Sequence, residues 1–182
     1  MIKLTQNIIS ILVLVLLSNY SFGKNISKSN RIIDGDTIVL NSKKIRFHGI
    51  DTPETHQKCK NDKGILYACG LRATKELKKI IGTNKVICQK KTTDRYRRSI
   101  SVCFVNGKDI NSLMVKSGWA LAYRKYSNDY IKEEEEAKKK KIGLWAGQFI
   151  PPWKWIWGMP FNVASRNWRA IPGKSGCAFP VR

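Results

Sequence analysis

The sequence predicts an α+β fold. Three observations carry this. Short stretches rich in β-branched residues come early in the chain. Apolar residues recur at helical spacing between and after them. Hydrophobic residues make up 42% of 182 positions, enough for one packed domain with extensions at its ends.

Arg31 to Leu40 and Ile45 to Ile50 are strand candidates, and Asn41-Ser42-Lys43-Lys44 between them is a turn, making a hairpin. A turn centred on those four residues sets Asp36 opposite Gly49 and Asp51 opposite Asp34. Glu54 to Gly64 is polar and irregular. Leu66, Cys69, Ala73, Leu77 and Ile80 then mark one face of a helix, which Gly82 stops. Lys85 to Gln89 and Ile100 to Val105 are two further strands, joined by the basic link Lys90 to Arg98. Asp109 or Asn111 caps a short helix that runs through Val115 and ends at Gly118. Trp119 to Tyr123 is extended. Ser127 opens a third helix with Glu133 to Glu136 early and Lys138 to Lys141 late. That order suits the helix dipole and permits Glu134–Lys138, Glu135–Lys139 and Glu136–Lys140 pairs, so the run reads as a solvated face.

Both chain ends differ from this domain. Lys3, the apolar run Ile8 to Leu17, and Ser21 and Gly23 spell a secretory signal over residues 1–23, cut after Gly23. The run is too short for a bilayer span, which takes about 20 residues. An uncleaved anchor is the alternative. The predicted domain occupies 24–145. Residues 146–182 form a basic extension holding four of the six Trp, five of the six Pro and no acid. Its aromatics either fold back over the domain or contact a ligand such as stacked bases or a membrane interface. Export, to periplasm or medium, also decides how five cysteines are read. If the strands around the basic link pair antiparallel, Cys88 and Cys103 are near-opposite neighbours. Cys59 and Cys69 bridge the loop after Glu54 to the following helix, and Cys177 is left over.

Charge narrows the partners. Lys and Arg total 34 against 13 acids, a formal +21, which favours polyanions, nucleic acid before membrane. The chemistry sits in three segments: Asp34-Gly35-Asp36-Thr37, Arg46 to Glu54, and Asp94-Arg95-Tyr96-Arg97-Arg98. Two carboxylates at the open end of a hairpin, with backbone carbonyls nearby, suit Ca²⁺ or a similar hard cation. Glu54, three residues past Asp51 and stiffened by Pro53, stands where a general base for an attacking water belongs. Arg46 and Arg98 supply guanidinium charge for a phosphodiester whose hydrolysis builds negative charge on phosphorus.

These motifs resemble the staphylococcal-nuclease-like (thermonuclease) family. Ile33-Asp34-Gly35-Asp36-Thr37, Arg46 with Ile50-Asp51-Thr52-Pro53-Glu54, and Asp94-x-Tyr96-x-Arg98 match it, as do Tyr67 to Ala73, Gly118-x-Ala120 with Ala122-Tyr123, and Glu136-Ala137 leading to Gly143-Leu144-Trp145. The resemblance implies a five-stranded OB-fold β-barrel carrying three helices, a monomer that cleaves DNA and RNA with Ca²⁺ and leaves 3′-phosphates. It implies that Asp36, Asp51 and the Thr52 carbonyl hold the metal and that Glu54 activates water. Arg46 and Arg98 would bind and stabilise the phosphate, and Tyr96 and Tyr123 would line the nucleotide pocket. Arg97 stands where the family usually has Gly, so a positive φ there would strain it. A non-catalytic nucleic-acid-binding module on the same barrel is the rival. It predicts loss of Glu54, Arg46 or Arg98, and all three are present. A membrane-active protein working through the Trp-rich extension is a second rival.

Overall fold

A computed structural model describes residues 31–155; the expected leader, Cys177 and the extension beyond Trp155 lie outside the described residues. Strands β1 (Arg31–Ile32), β2 (Thr37–Leu40) and β3 (Lys43–Phe47) form an antiparallel meander. Asn41 and Ser42 both adopt left-handed backbone, φ 51° and 65°, so the turn has two residues. Such a turn matches the strands' twist, and it pairs Leu40 with Lys43 and Thr37 with Arg46. The register is thus tighter than the sequence suggests. Asp36 faces Phe47, whose N–H donates to the Asp36 carbonyl at 2.8 Å, rather than Gly49. Gly49, at φ 69°, turns the chain into β4 (Ile50–Asp51), which pairs with β10 (Leu121–Ala122). Asp51 therefore does not oppose Asp34 across the hairpin.

β5 (Cys59–Lys60) pairs with β6 (Leu66–Tyr67), and helix α1 spans Cys69–Ile81. Leu66 is exposed in that small ladder rather than starting the helix. β7 (Val86–Thr93) and β8 (Ser99–Val105) make a long hairpin, and β8 also lies parallel to β3. The main sheet runs β1-β2-β3-β8-β7, with β9 (Lys108–Asp109) beside β8, and curls into a half-barrel consistent with an OB-fold. The basic link is mostly strand: only Asp94 to Arg98 turns, after a bulge between Lys90 and Thr92. Cys88 faces Cys103 directly and is bonded to it, and Cys59 is bonded to Cys69.

Helix α2 (Ile110–Lys116) starts at Asp109, whose side chain accepts the Ser112 N–H. Helix α3 covers Ile131–Lys139, beginning later than Ser127, whose hydroxyl instead accepts the Asp129 N–H. Its acidic run is not wholly solvated. Glu134 is buried and binds the Ala122 N–H, Arg124 and Lys138, tying α3 to β10. A 3₁₀ turn (Gly143–Ala146) and the one-turn α4 (Pro152–Trp155) make four α-helices among the described residues, one more than the sequence suggests. None of the described helices is long and apolar enough to cross a membrane. Ile38, Ile45, Phe47 and Ile50 pack with Leu77 and Ile81 of α1 and Ile110, Met114 and Val115 of α2 as the main core.

The start of the extension folds back. Gln148 forms an antiparallel bridge with Lys60, the buried Gln57 donates to the Ile150 carbonyl, and Trp153 stacks on Tyr123 with ring centroids 5.3 Å apart.

Candidate active site

The site forms where the β2–β3 hairpin meets β4. Arg46, on β3, lies across from Thr37, and its guanidinium pairs with Asp36 through one nitrogen and Asp51 through another. Both carboxylates are almost fully buried, so the shared cation offsets a charge burial that neither could bear alone. Asp36 is further held by the Thr52 N–H at 2.8 Å, the Thr52 hydroxyl at 2.9 Å and the Thr37 hydroxyl at 3.1 Å. Gly35 is required there: a Cβ would lie 2.7 Å from the Thr52 hydroxyl and 3.0 Å from Ala73. Asp34 stands behind, accepting the Asp36 N–H. Burial, then the neighbouring Asp36 charge, pushes Asp34 up to about 7. Burial also pushes Asp51 up to about 7, against the pull of Arg46. The carboxylate charges, winning over burial, hold Arg46 above the usual arginine range.

Glu54 follows on the loop leaving β4 and is half-buried. Burial raises its carboxyl, the Asp36 charge adds to this, and the Arg46 and Arg98 charges oppose it, so both arginines act electrostatically on Glu54. Arg98 closes the β7–β8 turn. Asp94 accepts its backbone N–H at 2.8 Å and its Nε at 2.7 Å, and accepts the Tyr96 N–H at 2.9 Å. Burial favours the neutral Asp94, but those bonds prevail and hold it below the usual carboxylate range. Tyr96 is exposed, with Arg95 and Arg98 each over its ring. Tyr123, on the chain leaving β10, donates its N–H to the Gly49 carbonyl. Burial, then the Asp51 and Tyr126 charges, raise its hydroxyl, with Arg46 opposing them.

The structure therefore gathers Asp36, Arg46, Asp51 and Thr52 by direct contact, with Glu54 and Tyr123 coupled to them through charge and Arg98 coupled to Glu54. Tyr96 stands at the rim beside Arg98. Sequence reasoning missed Gln57 and the clamping role of Asp94, whereas Trp153 follows the fold-back reading of the extension's aromatics. A lone amide in a polar loop has no pattern to betray it. Asp94 did carry a signal, since an Asp four residues before an Arg in a turn can cap it.

Among the described residues no three acidic, His or Cys side chains gather as a ready cation cage. The donors nevertheless fit a hard cation: two adjoining carboxylates, and an Asp51 Oδ2 that is buried with no hydrogen-bond partner in the described structure.

Comparison with known proteins agrees with this architecture. Residues 44–147 match the staphylococcal nuclease homologue family. An uncharacterized endonuclease of Haemophilus influenzae is 35% identical over 162 residues, covering 85% of this chain and 85% of that protein. Protein ParB of Escherichia coli is 35% identical over 143 residues, 69% of this chain and 75% of its own. A micrococcal nuclease of Shigella flexneri is 33% identical over 143 residues, 69% and 76% respectively. With the motifs, the curled sheet and the matched span in accord, this chain belongs to the staphylococcal nuclease homologue family.

Proposed function

We propose that this protein is an exported, calcium-dependent endonuclease that hydrolyses DNA and RNA and leaves 3′-phosphate ends. One observation carries the hydrolytic reading: the half-buried Glu54 follows three residues after Asp51, one of the two buried aspartates that Arg46 bridges, and burial and the Asp36 charge raise its carboxyl against the pull of Arg46 and Arg98. A carboxyl raised above its ordinary value is a stronger base, suited to take a proton from an attacking water. Arg46 and Arg98 place fixed positive charge where the phosphorus centre gathers negative charge in the transition state. Asp36, Asp51 and the Thr52 carbonyl would hold Ca²⁺, which would polarise a phosphate oxygen as a Lewis acid. Tyr96, under Arg95 and Arg98 at the rim, and Tyr123, stacked on one face by Trp153, would line the nucleotide pocket. Departure of the 5′-oxygen leaves the phosphate on the 3′ side. Lys3, the Ile8 to Leu17 run and the two disulfides support export.

Glu54→Gln keeps the side chain's shape and removes the base. In purified protein given calcium it should lower kcat on DNA at least about 10²-fold while DNA binding survives. A chelator should stop cleavage by the wild type, and end-labelling should find 3′-phosphates. Cleavage by Glu54→Gln at the wild-type rate would sink the mechanism. A wild type that binds DNA but never cuts it would establish the non-catalytic module instead.

A further inference from the structure

Gln57 occupies an unusual position for an amide. It is fully buried in a loop of charged and polar residues, and both ends of its side chain are engaged. Its Oε1 accepts the Glu54 N–H at 3.2 Å, and its Nε2 donates to the Ile150 carbonyl at 2.7 Å. Its own N–H returns to the Glu54 carbonyl at 2.7 Å, closing a tight turn around Glu54. On the far side, Gly70 of α1 presses against this turn: a Cβ there would lie 1.8 Å from the Glu54 carbonyl oxygen. The segment that supplies Ile150 is itself fastened at both ends. Gln148 exchanges two backbone hydrogen bonds with Lys60, at 2.8 and 2.9 Å, and Trp153 lies flat on Tyr123.

We propose that Gln57 is a positioning residue for Glu54, and that residues 148–153 act through it as a strap that holds the base in place. The inference rests on reading Glu54 as the general base. A buried amide bonded on both sides can relay position because neither bond can be replaced by water. The strap pulls on the amide, the amide fixes the Glu54 backbone, and α1 blocks retreat. Errors in placing a catalytic group by about 1 Å can cost about 10²-fold in rate.

The test is a double-mutant cycle in full-length protein. Gln57→Leu should lower kcat at least about 10-fold, with KM and the dissociation constant for DNA held within about 2-fold. In the Glu54→Gln background the same change should lower the residual kcat by less than about 2-fold, because no base remains to be misplaced. Gln148→Pro removes the strap's N–H donation to Lys60 at an exposed position, and carries the same test if Gln57→Leu does not fold. Its kcat loss should also vanish in the Glu54→Gln background. The proposal is overturned if either folded variant keeps wild-type kcat, or if its loss multiplies fully with that of Glu54→Gln. Near wild-type cleavage by Glu54→Gln alone would overturn the reading of the base instead, so the two failures are distinct.

Discussion

At Arg46 a single guanidinium reaches two carboxylates that are 1% and 2% exposed. Removing one partner of a buried ionic cluster costs more than the cluster contributes, because the remaining charges stay buried without compensation. Arg46→Ala should therefore lose about 3 kcal/mol of stability or more in chelator, read from urea denaturation. Adding calcium should restore part of that loss, since a cation at Asp36 and Asp51 supplies the missing charge. Arg46→Lys should rescue little: an ammonium is a point charge and cannot fork between two carboxylates. An unchanged midpoint for Arg46→Ala would show that the pairing does not hold the centre. The Asp-Gly-Asp-Thr and Asp-Thr-Pro-Glu motifs announce Asp36, Asp51 and Glu54 because their chemistry is concentrated in a few consecutive positions. Gln57 stays silent in the sequence. Its importance comes from a contact 93 residues away, which no local pattern encodes.

The β7–β8 hairpin shows why element boundaries were harder to read than element types. Hydrophobic alternation stops near Gln89, yet backbone pairing continues through Thr93 with exposed lysines and threonines. Pairing needs only N–H and C=O groups, so a solvated strand end leaves little trace in side-chain polarity. The cysteines were the better guide, because a bridge between facing strands specifies register as well as proximity. The turn beyond them holds Arg97 at φ 61°. Left-handed backbone costs a non-glycine residue about 1–2 kcal/mol, and a glycine adds about 0.5–1 kcal/mol of chain entropy to the cost of folding. Arg97→Gly should accordingly gain about 0.5 kcal/mol, measured by thermal or urea unfolding. A loss would mean that contacts of the arginine side chain outweigh the strain. Asp94, in the same turn, has a folded-state pKa lowered by its bonds to Arg98 and Tyr96. Its contribution is present above the ordinary aspartate value, about 3.9, and fades as pH falls through the lowered one. The stability gap between wild type and Asp94→Asn should therefore be constant near neutrality and shrink below about pH 4. A gap independent of pH across that window would remove Asp94 as the clamp on Arg98.

At the scale of the whole molecule, the formal charge is +21 and the start of the extension folds back onto the domain. The extension's first residues pack against Tyr123 and the Glu54 loop, so part of what composition marks as a separate tail belongs to the site's wall. The cations are less confined. Lys90, Lys91, Arg95 and Arg97 all stand exposed on the strand and turn that precede Arg98. Charges on a solvated hairpin contribute little to folding, because exposed pairs are worth about 0–1 kcal/mol. They contribute much more to binding a polyanion, where each neutralised phosphate releases condensed counterions. Affinity of the Glu54→Gln protein for duplex DNA should fall linearly on a log-log plot against salt, with a slope of about −0.9 per phosphate neutralised. Two unrelated duplexes of equal length should bind alike, since backbone contacts carry no sequence information. Replacing Lys90 and Lys91 with Ala should make the slope shallower by about 1 to 2 without changing the fold. If the slope is flat, or is indifferent to the two lysines, this hairpin does not carry the nucleic acid. The charge would then serve solubility alone.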